Sequence, residues 1–421
     1  MNQYLVKSLF WFRSKIVSLT IYRHWFLVLF LGLVLGSHSA GALEFSYKFR
    51  VGDKYRVIST VSQDIFVDRK LSYRAEIFNR IAVEVSAISG GRARLQAVFQ
   101  SAEKTAAVGG RNAEPFQWSK DYRSEYEQNN SGNITIDDQY YMPMVRDVPV
   151  FPGRNLNAGD VWTAEGVEVH DFTDSFGIEK PYRIPFTASY TYLGGRTWKE
   201  KEYPAFSVSY RIFLEPEAVP GKVFPRRIQG GSDQIIYWDT DIGQAVAYEE
   251  FYRTIFDLSD GQIWEYRGSA EAEIVDAMPM NKEEMAQEIA EEIREIPDTS
   301  VRVSDEGIVI GLGNVQFAPD STVLGPGELS KLDKIADILM QYPDRDILVG
   351  GHTVFSGTAE ERLKISTERA AAVAEYLLRR NVRTPDRVVI RGFGAEQPIS
   401  DNSTWEDIQR NRRVEITILE N

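Results

Sequence analysis

The 421-residue sequence contains no cysteine. That one absence removes disulfides, thiolate nucleophiles, cysteine-ligated zinc and a lipid-modified N-terminal cysteine. Histidine is scarce as well: only His170 and His352 follow residue 42, too far apart in sequence for a local metal motif. Positive charge is in deficit, with 48 Lys and Arg against 61 Asp and Glu and a net charge of -13. Nucleic-acid phosphates need clustered cations, so a nucleic-acid partner is excluded. No Gly-x-Ser-x-Gly, P-loop or paired catalytic carboxylate occurs, so neither a cofactor nor enzymatic chemistry is expected. What remains, 43% hydrophobic and 26% charged residues, is the composition of a chain that folds in water.

The N-terminus reads as a targeting segment. Lys7, Arg13, Lys15 and Arg23 precede an apolar run from Trp25 to Leu35, and the small residues Ser37, Ser39, Ala40, Gly41 and Ala42 follow. The run is shorter than the roughly 20 residues a spanning helix needs. Ala40-Gly41-Ala42 fits a signal-peptidase site, so residues 1–42 are expected to be a signal peptide and Leu43 the first residue of the exported protein.

From Leu43 to about Met280 the apolar residues alternate. Ile81, Val83, Val85 and Ala87 precede the turn Ser89-Gly90-Gly91-Arg92, and Ala93, Leu95, Ala97 and Phe99 follow it, which predicts a β-hairpin with one buried face. Ile184, Phe186, Tyr190 and Tyr192, then Gly194-Gly195-Arg196, then Phe206, Val208, Tyr210 and Ile212 predict a second hairpin turning at the glycine pair. Gly52-Asp53 and Gly159-Asp160 stand at similar distances ahead of the two Gly-Gly-Arg stretches, a weak internal repeat. The proline-rich stretch Asp137–Asn157 is the expected connection, giving β units at 43–157 and 158–280. The strands from Gln234 to Ile274 form a meander. Its Asp239–Gly243 segment resembles a calcium loop but lacks the downstream glutamate, so a β-turn is expected there. The fold class is multidomain α+β, its N-terminal antiparallel region a sandwich or soluble barrel. A transmembrane barrel is the alternative; charges at Glu249-Glu250 and Glu271 with Glu273 speak against it.

Residues 281–300 predict an acidic linker helix, with Met285, Ile289, Ile293 and Ile296 on one stripe and Pro297 at its end. From 301 to 421 strands and helices alternate as in an α/β sandwich with helices on one face. Three motifs stand on these elements: Gly350-Gly351-His352-Thr353-Val354, then Ser366-Thr367-Glu368-Arg369-Ala370, then Asn411-Arg412-Arg413. Together they resemble the OmpA-like peptidoglycan-binding domain shared by OmpA, Pal and MotB tails. The resemblance implies a pocket for the diamino acid of a peptidoglycan stem peptide, periplasmic location at the outer membrane or wall, and Arg369 as the carboxylate-gripping cation. It places Thr353, Asp320 and Phe317 at the pocket and Arg412 as structural or peripheral to it, the basic pair Arg412-Arg413 otherwise reading as a solvated strand start. It also implies a carboxylate where this chain has Val354, and another in the segment Phe317-Ala318-Pro319-Asp320, where only Asp320 remains. The position where the family usually has Asn holds Arg362. Without that partner the ligand ammonium is unpaired, so weakened wall binding is expected. Other envelope proteins are the expected partners of the β region.

Overall fold

The computed structural model describes residues 42–107, 116–276, 280–313, 324–401 and 403–420. Its N-terminal part is one antiparallel sheet of long strands: β1 (Lys54–Val67), β2 (Lys70–Ser89), β3 (Arg92–Ala107), β4 (Phe116–Asn129), the short β5 (Ile134–Ile136) and β6 (Val145–Arg146), then β7 (Val161–Phe172), β8 (Ile178–Trp198), β9 (Lys201–Leu214), β10 (Pro225–Asp239), β11 (Gln244–Leu258) and β12 (Ile263–Asp276). The spatial order is β6, β7, β8, β9, β10, β11, β12, β1, β2, β3, β4, β5. The stretches 43–157 and 158–280 are joined where β12 pairs with β1, from Trp264 opposite Val67 to Asp276 opposite Tyr55. The sheet curls nearly into a barrel rather than stacking as a sandwich. Its remaining gap is bridged by the Ile134 N–H, which donates to Asp147 Oδ1 at 2.6 Å, and by the Phe151 N–H, which donates to the Ser131 carbonyl at 2.8 Å.

The period-two pattern sets which face turns inward. Phe206, Val208, Tyr210 and Ile212 on β9, with Tyr190 and Tyr192 on β8 and Trp238 on β10, form an aromatic core into which Phe45 and Phe151 insert from the segments that cross one end of the barrel. The outward face carries ion pairs instead, Arg211–Asp233 at 3.0 Å and Arg253–Glu265 at 2.6 Å. A membrane-spanning barrel has the reverse arrangement, apolar outside.

The first hairpin turns at Gly90-Gly91, both in the left-handed region, with Ile81 opposite Phe99 and Val85 opposite Leu95. The second does not turn where expected. Gly194 and Gly195 lie inside β8 at a register shift opposite β9, and the chain reverses at Trp198–Lys201, where Lys199 has φ 51°. Glycine serves there as a bulge: a Cβ on Gly195 would lie 2.0 Å from Glu202 Oε1. The two Gly-Asp turns share one hydrogen-bond scheme. Gly52 N–H donates to the Val85 carbonyl and Gly159 N–H to that of Tyr192, and Asp53 and Asp160 each accept the backbone N–H three residues earlier, from Arg50 and Asn157. Asp239 Oδ1 accepts backbone N–H groups of Asp241 and Ile242, an ordinary turn.

The C-terminal module begins with α1 (Lys282–Glu292), whose Ile289 packs with Ile293 and Ile296 into the module's own core. Then come β13 (Thr299–Val303), β14 (Gly307–Gly313), α2 (Pro326–Met340), β15 (Ile347–Gly351), α3 (Ala359–Arg379), β16 (Val388–Gly392), α4 (Trp405–Asn411) and β17 (Arg413–Leu419). The sheet order is β13, β14, β17, β15, β16, with only β15 and β16 parallel. Beyond β16, the barrel strand β4 adds a short parallel pairing, Val389 opposite Phe116.

Candidate functional site

The glycine-rich stretch is first of all a packing device. A Cβ on Gly351 would lie 1.9 Å from the Ser366 carbonyl oxygen, and one on Gly392 would lie 2.2 Å from Thr367 Oγ1. Glycine at both places lets α3 lie directly on the ends of β15 and β16. α3 starts from a capping box: the Glu361 N–H donates to Thr358 Oγ1 at 3.2 Å and the Thr358 N–H to Glu361 Oε2 at 2.8 Å. Ser366, fully buried, donates to the Leu363 carbonyl at 2.8 Å and accepts the Gly394 N–H at 3.0 Å. Thr353 N–H donates to the Gly394 carbonyl at 2.8 Å, so the loops after β15 and β16 and the helix converge on one residue.

Arg369 stands one turn further along α3, half-buried. Burial lowers its pKa first, and the guanidinium of Arg412, at the end of α4, lowers it further. Like charges near one another raise the cost of both, a cost that a carboxylate offsets, and a planar guanidinium can grip a carboxylate with two parallel bonds. Val354, in the loop after β15, is 8% exposed. Beside it Phe355 is 77% exposed, with the Arg362 guanidinium 4.2 Å from its ring centre. Phe317 and Asp320 lie outside the described residues.

The last motif divides its labour. Asn411, 1% exposed, accepts the Ile399 and Ser400 N–H groups at 2.7 and 3.2 Å and donates to the Ser400 carbonyl at 2.9 Å, so it pins a loop. Arg413 is not the solvated strand start that a basic pair suggests: it is buried, and its Nε donates to Glu415 Oε1 at 2.7 Å. Of the pair, Arg412 is the half-buried one and the one whose charge acts on Arg369.

His352 is buried and stacked on Phe393, ring centres 4.7 Å apart, with Nε2 3.6 Å from Glu415 Oε2. Burial lowers its pKa, against the pull of Glu415. Burial also pushes the Glu415 carboxyl up, but His352 and Arg413 outweigh it and hold that carboxyl at about 2. Arg302 completes the group, donating to Glu415 Oε2 at 2.7 Å. Sequence reading missed Glu415. The available signal was its spacing of two from Arg413 on a strand, which puts both on one face. His170 lies far from this cleft, inside the barrel, paired with Glu168 Oε2 at 2.8 Å, while Tyr210 OH donates to Glu168 Oε1 at 2.8 Å.

A Gly-rich strand end, an arginine-bearing helix laid on it and a second arginine just ahead of the final strand thus stand together on one α/β sandwich. Residues 316–412 match the model of the OmpA family, so the chain carries an OmpA-family domain near its C-terminus. Similarity to the peptidoglycan-binding protein ArfA of Mycobacterium tuberculosis is 35% identity over 106 residues, 25% of this chain and 32% of ArfA. The probable lipoprotein YiaD of Escherichia coli is 35% identical over 120 residues, 28% of this chain and 54% of YiaD. The peptidoglycan-associated lipoprotein of Rhizobium meliloti is 32% identical over 28% of this chain and 65% of that protein. Each match thus leaves at least about a third of the relative's own length unspanned. Among solved structures, the cell wall anchor of the T6SS from Pseudomonas aeruginosa is 26% identical over 32% of this chain and 97% of that chain, with a TM-score of 0.28.

Proposed function

We propose that this chain is a non-enzymatic cell-envelope protein of the periplasm, associated with the outer membrane or the wall. Its OmpA-like module contacts peptidoglycan stem peptide through Arg369, and binding is weakened because Val354 stands where a carboxylate would hold the ligand ammonium. The names of ArfA and of the peptidoglycan-associated lipoprotein support the ligand class. The observation that carries the reading is half-buried Arg369, on the helix that packs directly against Gly351 at the end of β15. It supplies the carboxylate half of a stem-peptide site, with Thr353 beside it, and Val354 cannot supply the ammonium half. A deleted charge-assisted bond is worth about 1.5–3 kcal/mol, one to two orders of magnitude in affinity. The β region is the surface for other envelope proteins. Its charged outward ladder and aromatic interior favour a barrel in water over one in a bilayer.

Pull-down with purified peptidoglycan tests this. The natural chain is expected to be retained weakly, Val354→Asp more strongly, and Val354→Asp with Arg369→Ala no better than background. Tight retention of the natural chain that Arg369→Ala leaves unchanged refutes the site. Background retention of all three favours the second reading, a scaffold that kept the fold without wall binding.

A further inference from the structure

A two-layer module with helices on one face should show the other face to water, and its strands should alternate apolar with polar. The strands of this module do not. On β15 Ile347 and Val349 face the helices, yet Leu348 between them is 2% exposed; on β16 Val388 and Ile390 face the helices, yet Val389 is 2% exposed; Leu419 at the end of β17 is equally covered. Every residue of β17 is buried. A strand buried on both faces needs a second covering layer.

The barrel has the complementary anomaly. Among its outward positions Ile58 on β1, Phe78 on β2 and Ala102 on β3, which neighbour one another across the strands, are apolar, and unlike the exposed Phe213 and Phe251 they are covered, clustering with Leu348, Val389 and Leu419. Charge closes the rim of this patch. Arg80, 5% exposed on β2, lies 3.8 Å from Asp346, which also takes the Arg387 Nε at 2.7 Å. Arg391 Nη1 donates to Asp121 Oδ2 on β4 at 3.0 Å. At the sheet edge β16 and β4 exchange the parallel pairing noted above, so neither edge is open along that segment.

We propose that the helix-free face of the OmpA-like sheet is a docking surface for the outward face of β1, β2 and β3 of the same chain, so that barrel and wall-binding cleft move as one body. The cleft sits at the loop ends of β15 and β16, away from the docked face, and docking therefore fixes its direction relative to the barrel without covering it. The inference does not depend on whether peptidoglycan is the ligand.

The absence of cysteine makes the test direct. Asp121→Cys with Arg391→Cys, a pair at the partly exposed rim, in the full chain, treated with a short bismaleimide, is expected to give an intramolecular crosslink joining the two peptides by mass spectrometry. A control pair, Ser207→Cys with Arg391→Cys, should give at least about tenfold less. Asp346→Asn leaves Arg80 and Arg387 facing a neutral amide and is expected to lower the crosslink about tenfold. Small-angle scattering on the unmutated chain is the companion measurement: a single compact envelope is expected. Equal crosslinking of both pairs, or scattering from two independently moving bodies, overturns the proposal.

Discussion

Replacing Glu415 by glutamine removes one charge from beneath the cleft and leaves the shape of the side chain. In the native protein Glu415 lies 8% exposed between Arg413, His352 and Arg302, at 2.7 Å from both Arg413 Nε and Arg302 Nη2. Its carboxyl, pushed up by burial but held down more strongly by His352 and Arg413, titrates at about 2 against the ordinary 4.5. A difference of that size favours the folded, ionised state by roughly 3 kcal/mol at neutral pH. The folded pKa is the lower one, so the unfolded chain takes up its proton first as the pH falls. The stabilisation is complete above about pH 4.5, fades on acidification, and is gone below about pH 2. Glu415→Gln is therefore expected to lose about 3 kcal/mol in urea unfolding at pH 7. Its stability curve should approach that of the natural chain as both are acidified towards pH 2. A variant as stable as the natural chain at pH 7, or a difference that stays constant down to pH 2, refutes the reasoning.

Gly351→Ala puts a methyl group on the Ser366 carbonyl oxygen, and α3 must move; a loss of at least about 1–3 kcal/mol in thermal or urea unfolding is expected, together with weaker retention of the Val354→Asp variant on peptidoglycan, because Arg369 rides on that helix. Phe206→Ala empties the centre of the aromatic core, where its ring lies 5.4 Å from Phe151 and 5.8 Å from Phe45, and should cost about 3–5 kcal/mol; a change below about 1 kcal/mol means that the barrel core packs elsewhere. N-terminal sequencing of exported protein is expected to begin at Leu43, and retention of residues before Ala42 refutes cleavage at Ala40-Gly41-Ala42.

Local pattern made the hairpins and the C-terminal module legible, because a period of two and a helical stripe are written in consecutive residues. It failed where the deciding contact was distant. Gly194-Gly195 carried the same letters as Gly90-Gly91, and only the reach of β9 back to Glu202 makes the first pair a bulge and the second a turn. Pairing of β12 with β1 joins residues some two hundred positions apart and leaves no local trace. Arg369 was readable from its motif. That the charge of Arg412 acts on Arg369 while Arg413 pairs with Glu415 depends on the alternation of one strand whose start, between helix and sheet, the sequence did not mark. The uninterrupted apolar runs Ile347-Leu348-Val349 and Val388-Val389-Ile390 are a sequence signal of cover on both sides.

β17 lies between β14 and β15 and is bonded to both. The centre of the module's sheet is thus its last-made strand, and β13 and β14 have no partner on that side until Arg413–Leu419 arrive. During synthesis, Ile308 and Ile310 wait without this neighbour strand while about a hundred further residues emerge behind β14. Interrupting the chain at Arg413 would therefore remove the middle of the sheet, not its margin, and a ribosome stalled there would hold α1 to α4 complete and no central strand for the core to close on.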